Sequence, residues 1–175
     1  MGKYQLFVCK VCGDPYLGTG APSRCPFCGA HEENVVPMDE WGPVWGKPIS
    51  DVSKKHLEEA LQLEVGATNF YRNVSKFSKD VWAQKMFKAL MKAEKEHAEA
   101  IVKILGAEMP NIEEMELEED KARETIEENL AETRRREENA VKVYNMAAVE
   151  SPDEAVKYFF GELSKIEADH ILLTE

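Results

Sequence analysis

The sequence predicts an all-α fold: a bundle of four long helices preceded by a small cysteine-bearing module. Three observations carry this. Apolar residues recur at helical spacing through four stretches between residue 51 and the C-terminus. The second half of that region repeats the first at an offset of 73 residues. All four cysteines fall within the first 28 residues, so the helical region has none.

A chain of 175 residues has room for one ordinary domain and a small module. The pattern divides it into a cysteine module over 1–36, a linker over 37–50 and a bundle over 51–175. A hydrophobic content of 43% is ample for a buried core. The formal charge of −11 argues against nucleic acid and anionic membrane surfaces as partners. No apolar run is long enough to span a bilayer, and the N-terminus has no signal-peptide apolar region. Leu6 stands where a myristoylation signal needs Ser or Thr. The expected location is the cytoplasm.

The cysteines read Cys9-Lys-Val-Cys12-Gly and, after twelve residues, Cys25-Pro-Phe-Cys28-Gly. Two such pairs form two tight knuckles able to close a tetrahedral four-sulfur site. Gly13 and Gly29 supply the positive φ that each knuckle needs. Disulfides are the alternative, but clustered cysteines in a cytoplasmic chain more often mean metal. Four thiolates suit iron or zinc alike. A module this small needs the ion as part of its folding energy.

In the linker, Pro37, Gly42, Pro43, Gly46 and Pro48 forbid a regular helix. Trp41 and Trp45 argue against plain disorder. They are expected to pack the linker onto the helical domain; a docking surface for a partner or second subunit is the sharper alternative.

The first helix starts near Ser50 or Asp51, with Leu57, Leu61, Glu64, Ala67, Thr68, Tyr71 and Val74 inward. The second runs from about Asp80 to Leu105 and stops at Gly106, with Trp82, Met86, Leu90, Ala93, His97 and Ile101 on one face. The third spans roughly 119–149, with Ile126, Leu130, Glu137, Val141, Tyr144 and Ala148 inward. The fourth begins after Ser151-Pro152 and carries Val156, Phe159, Phe160, Leu163, Ile166 and His170.

The 73-residue shift maps Glu64 onto Glu137, Tyr71 onto Tyr144, Glu94 onto Glu167 and His97 onto His170. It also pairs Leu57 with Leu130, Ala67 with Ala140, Phe87 with Phe160 and Leu90 with Leu163. Glu94-x-x-His97 and Glu167-x-x-His170 each place a carboxylate and an imidazole on one helix face. Four carboxylates buried together repel one another and need cations. With two imidazoles they suit two iron or manganese ions bridged by carboxylate, the ligand recipe of di-metal bundles. Glu137 is preferred over its neighbours Glu132 and Glu138 because it alone obeys the repeat. Tyr71 and Tyr144 read either as core aromatics bonded to a ligand carboxylate or as redox groups. His31 and His56 read as surface residues, and Arg134-Arg135-Arg136 as a solvated face, although Arg134 occupies the repeat position of Leu61.

These residues resemble the rubrerythrins. The module is similar to their rubredoxin-like domain in its twelve-residue gap and in Gly18-Thr19-Gly20-Ala21-Pro22. The bundle is similar to their ferritin-like domain through Glu64, Glu94, His97, Glu137, Glu167 and His170. The module precedes the bundle, as in reverse rubrerythrins. One departure is visible: the positions a turn either side of Glu137 hold Arg134 and Ala140, where typical members carry an additional ligand Glu.

The resemblance implies a non-haem di-iron peroxidase that reduces hydrogen peroxide to water. Cys9, Cys12, Cys25 and Cys28 would hold one iron that relays electrons from a donor such as a rubredoxin or its reductase. Glu64, Glu94, His97, Glu137, Glu167 and His170 would be both the ligands of two irons and the catalytic set. The alternatives are a ferroxidase, iron-binding or oxygen-reducing protein with a structural zinc ribbon, and a zinc-ribbon adaptor. A connection over 106–118 reaches about 43 Å when straight, against about 39 Å for the second helix. That narrow margin makes exchange of hairpins between chains a real option, and a homodimer is expected.

Overall fold

The computed structural model describes residues 3–43 and 45–175. Met1 and Gly2, at the head of the N-terminal stretch, lie outside the described residues. The module is a three-stranded antiparallel sheet of β1 (Gln5–Cys9), β2 (Pro15–Gly18) and β3 (Val35–Pro37) in the order β2-β1-β3. A single 3₁₀ turn over Met38–Glu40 follows, so the linker begins with ordered structure. The bundle is α1 (Asp51–Phe77), α2 (Val81–Leu105), α3 (Ile126–Glu150) and α4 (Glu154–Leu172). It is a ferritin-like four-helix bundle, and none of the described helices is long and apolar enough to cross a membrane.

Local chemistry sets the helix ends. Ser50 caps α1 by accepting from Ser53 N, and Asp80 caps α2 by accepting from Ala83 N. Gly106 ends α2 in the left-handed conformation, φ 64°. Ser151 closes α3, and the cap of α4 is Asp153, one residue beyond the predicted Ser-Pro start. Asp153 instead accepts from the backbone N–H and hydroxyl of Ser50, tying α4 to the start of α1.

The third helix begins at Ile126 and not near 119. Thr125 and Glu128 form a capping box there, while Ile112–Met115 and Glu118–Asp120 are 3₁₀ turns. The crossover therefore runs from Gly106 to Thr125 and is no longer short for its task. Both hairpins close on each other within one chain. The inward faces are also rotated slightly from those predicted. Ala83, Phe87, Leu90, Glu94, His97 and Ile101 form the buried face of α2, and Trp82 is 59% exposed. On α3 the deepest residues are Asn129, Thr133, Glu137, Ala140, Tyr144 and Ala147, with Ile126, Leu130, Val141 and Ala148 at the margins.

One apolar cluster runs without a break from the module (Phe7, Val11, Val35) into the bundle (Leu57, Ile104, Phe159, Leu163, Ile166). A second, around Phe70, Tyr71, Phe87 and Leu90, fills the other half of the bundle. The module lies along α2 and α4. Arg24 and His31 both contact Asp169 of α4, Asn34 donates to Glu162, and Lys103 of α2 donates to the carbonyl of Cys12.

Trp45 is half-buried beside Gly13 and under the ammonium of Lys103, at 5.8 Å from its ring. It thus packs the linker onto module and bundle together. His31 and His56 are not free surface residues: the first is held by Asp169, and the second is buried and pairs with Glu150 at 3.2 Å.

Candidate metal centres

In the module, Gly13 N donates to the carbonyl of Cys9 and Gly29 N to that of Cys25, which makes two matching knuckles. Both glycines have φ near +80°. The four cysteines are free thiols, buried, with Cys9 Sγ 3.7 Å from Cys28 Sγ and Cys12 Sγ 3.8 Å from Cys25 Sγ. Those separations are too long for a disulfide. They match the edge of about 3.8 Å expected for a tetrahedron of sulfurs ~2.3 Å from a central ion. Asp14 N donates to Cys12 Sγ at 3.5 Å, a supporting bond of the kind that tunes such a centre. Sharing of hydrogen bonds among the sulfurs, with Cys12 the main partner, holds Cys25 well below the usual thiol range.

In the bundle, all six predicted residues converge between the two apolar clusters. Glu64, Glu94, His97 and Glu167 bring one ligand atom each into a group whose atoms lie within 4.8 Å of one another. Glu94, Glu137, Glu167 and His170 form a second such group. The 73-residue shift converts one group into the other, and Glu94 and Glu167 belong to both. These two carboxylates are the ones common to both groups. The two imidazole rings are near-parallel, 6.0 Å apart.

The donor set fits cations better than it fits itself. His170 Nδ1 lies 2.8 Å from Glu167 and 3.1 Å from Glu94, yet it makes no properly directed hydrogen bond. Glu94 Oε1 and both carboxylate oxygens of Glu167 are likewise buried without a hydrogen-bond partner. Unsatisfied lone pairs at this density are costly unless something charged lies among them. His97 is oriented from behind: its Nε2–H donates to the carbonyl of Cys28 at 2.9 Å, and Nδ1 faces Glu94, Glu167 and Glu64. That is how ligand imidazoles are fixed in one tautomer.

Electrostatics without a cation show how the cluster balances itself. Burial, then Glu167, drives the carboxyl of Glu64 upward, and burial, then Glu94, does the same to Glu137. Burial opposes the charging of His97 and His170, but the facing carboxylates outweigh it and hold both above the usual imidazole range. Burial likewise opposes ionisation of Glu94, and His170 and His97 outweigh it, keeping this carboxyl low. The environment thus favours the protonated forms of Glu64, Glu137, His97 and His170.

Each outer glutamate has its own tyrosine. Tyr144 of α3 donates to Glu64 of α1 at 2.5 Å, and Tyr71 of α1 donates to Glu137 of α3. Burial and the nearby carboxylates push both phenols well above their ordinary value, so they remain donors. Glu132 and Glu138, the rivals of Glu137, point elsewhere. Glu132 is held by Arg135 and Arg136, and Glu138 is exposed beside Arg134. Arg134 itself turns away to Thr174 and Glu175, so it is not near the cluster. Arg136 is not part of a solvated face either: it reaches Asp120 of the crossover at 3.0 Å and is largely buried.

Two features had no legible signal in the sequence. The first is the seat of the module, where Cys28 meets His97. The second is a cavity of about 310 Å³ between α1 and α3, roofed by the crossover, whose floor is Glu64, Glu94, Glu137 and Glu167.

Comparison with known proteins agrees with this arrangement. The model of the family described as Rubrerythrin matches residues 55–173, two-thirds of the chain. The chain belongs to the rubrerythrin family. Rubrerythrins are generally oxidoreductases. The chain is also similar to reverse rubrerythrin-1 of Clostridium acetobutylicum, at 42% identity over 41 residues. That similarity spans 23% of this chain and 23% of the relative's own length. No solved structure matches the chain significantly.

Proposed function

We propose that the protein is a peroxidase that reduces hydrogen peroxide to water, using electrons relayed through the four-cysteine centre of its own module. One observation supports this above the rest. A single side chain, His97, presents Nδ1 to the carboxylate cluster and donates from Nε2 to the backbone of Cys28. A covalent and hydrogen-bonded path thus joins the two candidate centres inside one chain.

Two redox-active ions such as iron in the bundle, and one in the cysteine site, would supply the electrons and the Lewis acidity for O–O cleavage. The protein's residues do the rest. Glu94 and Glu167 compensate charge for both positions, and Glu64 and Glu137 each complete one. Tyr144 and Tyr71 hold those outer carboxylates in place. Leu90, Phe87, Phe160 and Leu163 exclude bulk water from the buried side. The module occupies the α2/α4 side and the cavity opens on the α1/α3 side, so electrons and oxidant approach from different directions.

The electron donor is read as a rubredoxin or its reductase, and the assembly as a homodimer. The location is read as the cytoplasm. A ferroxidase or oxygen-reducing role is the second reading. It is favoured by a cluster of four glutamates and two histidines with Ala140 in place of a further carboxylate.

Stopped-flow mixing of the anaerobically reduced, iron-loaded protein with peroxide separates them. Oxidation of both centres much faster than in air supports the peroxidase. Faster oxidation in air selects the second reading. A colourless module containing zinc removes the relay.

A further inference from the structure

The cavity is far larger than hydrogen peroxide requires. Its volume of about 310 Å³ is roughly ten times the ~30 Å³ share of a water molecule in the liquid. It lies at the lower end of the ~300–1,000 Å³ range of small-ligand pockets. The mouth is formed by exposed Gln62, Glu119, Arg135 and Asn139, and the floor by the carboxylate cluster. Between them the walls are predominantly apolar, with Leu63 and Ala67 on α1, Ala140 on α3, and Met115 and Leu117 on the roof. Small residues keep this space open where α1 faces α3: Ala67 and Ala140 are repeat partners, and Gly66 leaves room for the Arg136–Asp120 pair.

Charge at the mouth argues about what passes. Arg136 pairs with Asp120 at 3.0 Å, and Arg135 is held by Glu132 at 2.7 Å. With both arginines paired, the mouth sets no charge barrier to a neutral solute. The roof is held by side chains reaching up from the helices. Asn69 donates to the carbonyl of Ile112, Asn73 to that of Asp120, and Arg136 to that of Glu119. The cavity is thus a formed pocket.

We propose that this cavity is an oxidant pocket for neutral organic hydroperoxides, with the hydroperoxy group at the carboxylate cluster and the organic substituent against Leu63, Ala67, Met115 and Ala140. The proposal rests on the peroxidase reading and names a wider substrate class for it. The step balances as ROOH plus two electrons and two protons giving ROH and water. The O–O bond breaks, the electrons come from an external one-electron donor through the cysteine centre, and the protons come from solvent.

Two measurements on the full chain test it. In the metal-free protein, 2-phenyl-2-propanol, the alcohol formed from cumene hydroperoxide, is titrated while the methyl NMR signals of Leu63 and Met115 are followed. Saturable shifts are expected, lost in Ala67→Phe and in Met115→Trp, the latter filling the pocket from the roof without entering a helix. In the iron-loaded, reduced protein, cumene hydroperoxide oxidises the centres. Either substitution then lowers its rate at least tenfold relative to that of hydrogen peroxide. Absence of saturable shifts, or equal slowing of both oxidants, overturns the proposal. Failure of hydrogen peroxide itself to oxidise the reduced protein instead overturns the peroxidase reading, while the titration still decides whether the pocket binds.

Discussion

Tyr144 and Glu64 lie 80 residues apart in the chain, and the tyrosine hydroxyl donates to the carboxylate at 2.5 Å. Tyr71 returns the same bond to Glu137. Each hairpin thus positions the outer glutamate of the other. Replacing Tyr144 by Phe removes the donor without changing the packing volume much. Loss of such a supporting bond typically costs about 10–100-fold in metal affinity. The expected result is weaker binding of one ion, read by competition with a coloured chelator. An unchanged affinity would show that the bond orients nothing.

Glu137→Ala is expected to lose one of the two ions, while Glu132→Ala retains both. Glu132 is pulled down to about 2 by Arg135 and Arg136 against its burial, and its work is to hold those arginines. Its removal costs about 1–3 kcal/mol of stability through broken charged hydrogen bonds. Metal analysis and urea unfolding of the two variants separate the roles.

Stability of the metal-free chain depends on pH in a defined direction. Glu64, Glu137, His97 and His170 all have folded values raised above the unfolded ones. Their contribution is full below the unfolded values, about 4.3 for Glu and about 6.5 for His. It is lost as pH rises through the raised folded values, because the native state then holds protons that the unfolded chain has released. Glu94 acts oppositely, adding stability above about 4.3 that is lost as pH falls through its lowered value. Urea unfolding of metal-free protein is therefore expected to show lower stability at pH 8.5 than at pH 6. Bound divalent ions replace those protons, so the difference shrinks on loading and metal affinity rises with pH. Equal stability at both pH values in the metal-free chain would refute this charge balance.

Gly13→Ala is expected to damage the module. Gly13 has φ 82°, and an added Cβ would sit 2.0 Å from the Trp45 ring. The left-handed conformation alone costs a residue with a Cβ about 1–2 kcal/mol, and displacement of Trp45 adds to it. The readout is faster loss of the cysteine-bound ion to a chelator. The same substitution in Trp45→Ala should be milder, since the clash is then gone.

Much of this protein is written locally. The two Cys-x-x-Cys knuckles, the helix caps at Ser50, Asp80 and Gly106, and the four amphipathic stretches follow from residue type and spacing within a few turns of chain. The 73-residue repeat extends that reach, because corresponding residues of the two hairpins occupy corresponding places in the two clusters. This is why Glu137 could be picked over Glu132 and Glu138.

Other features depend on partners with no such register. His56 looks like a surface residue until Glu150 is brought beside it, and Arg136 looks solvated until the crossover folds back with Asp120. Trp82 fits a helical stripe, yet the face is set by which side of α2 the ligands and Phe87 occupy. The sequence by itself determined the residues of the two candidate clusters, the helix count and the family. Only the tertiary structure decided that the module rests on its own bundle, that His97 meets Cys28, and that a cavity opens opposite. Those are contacts between surfaces distant in the chain, settled by shape and by pairing of buried polar groups, for which residue spacing holds no record.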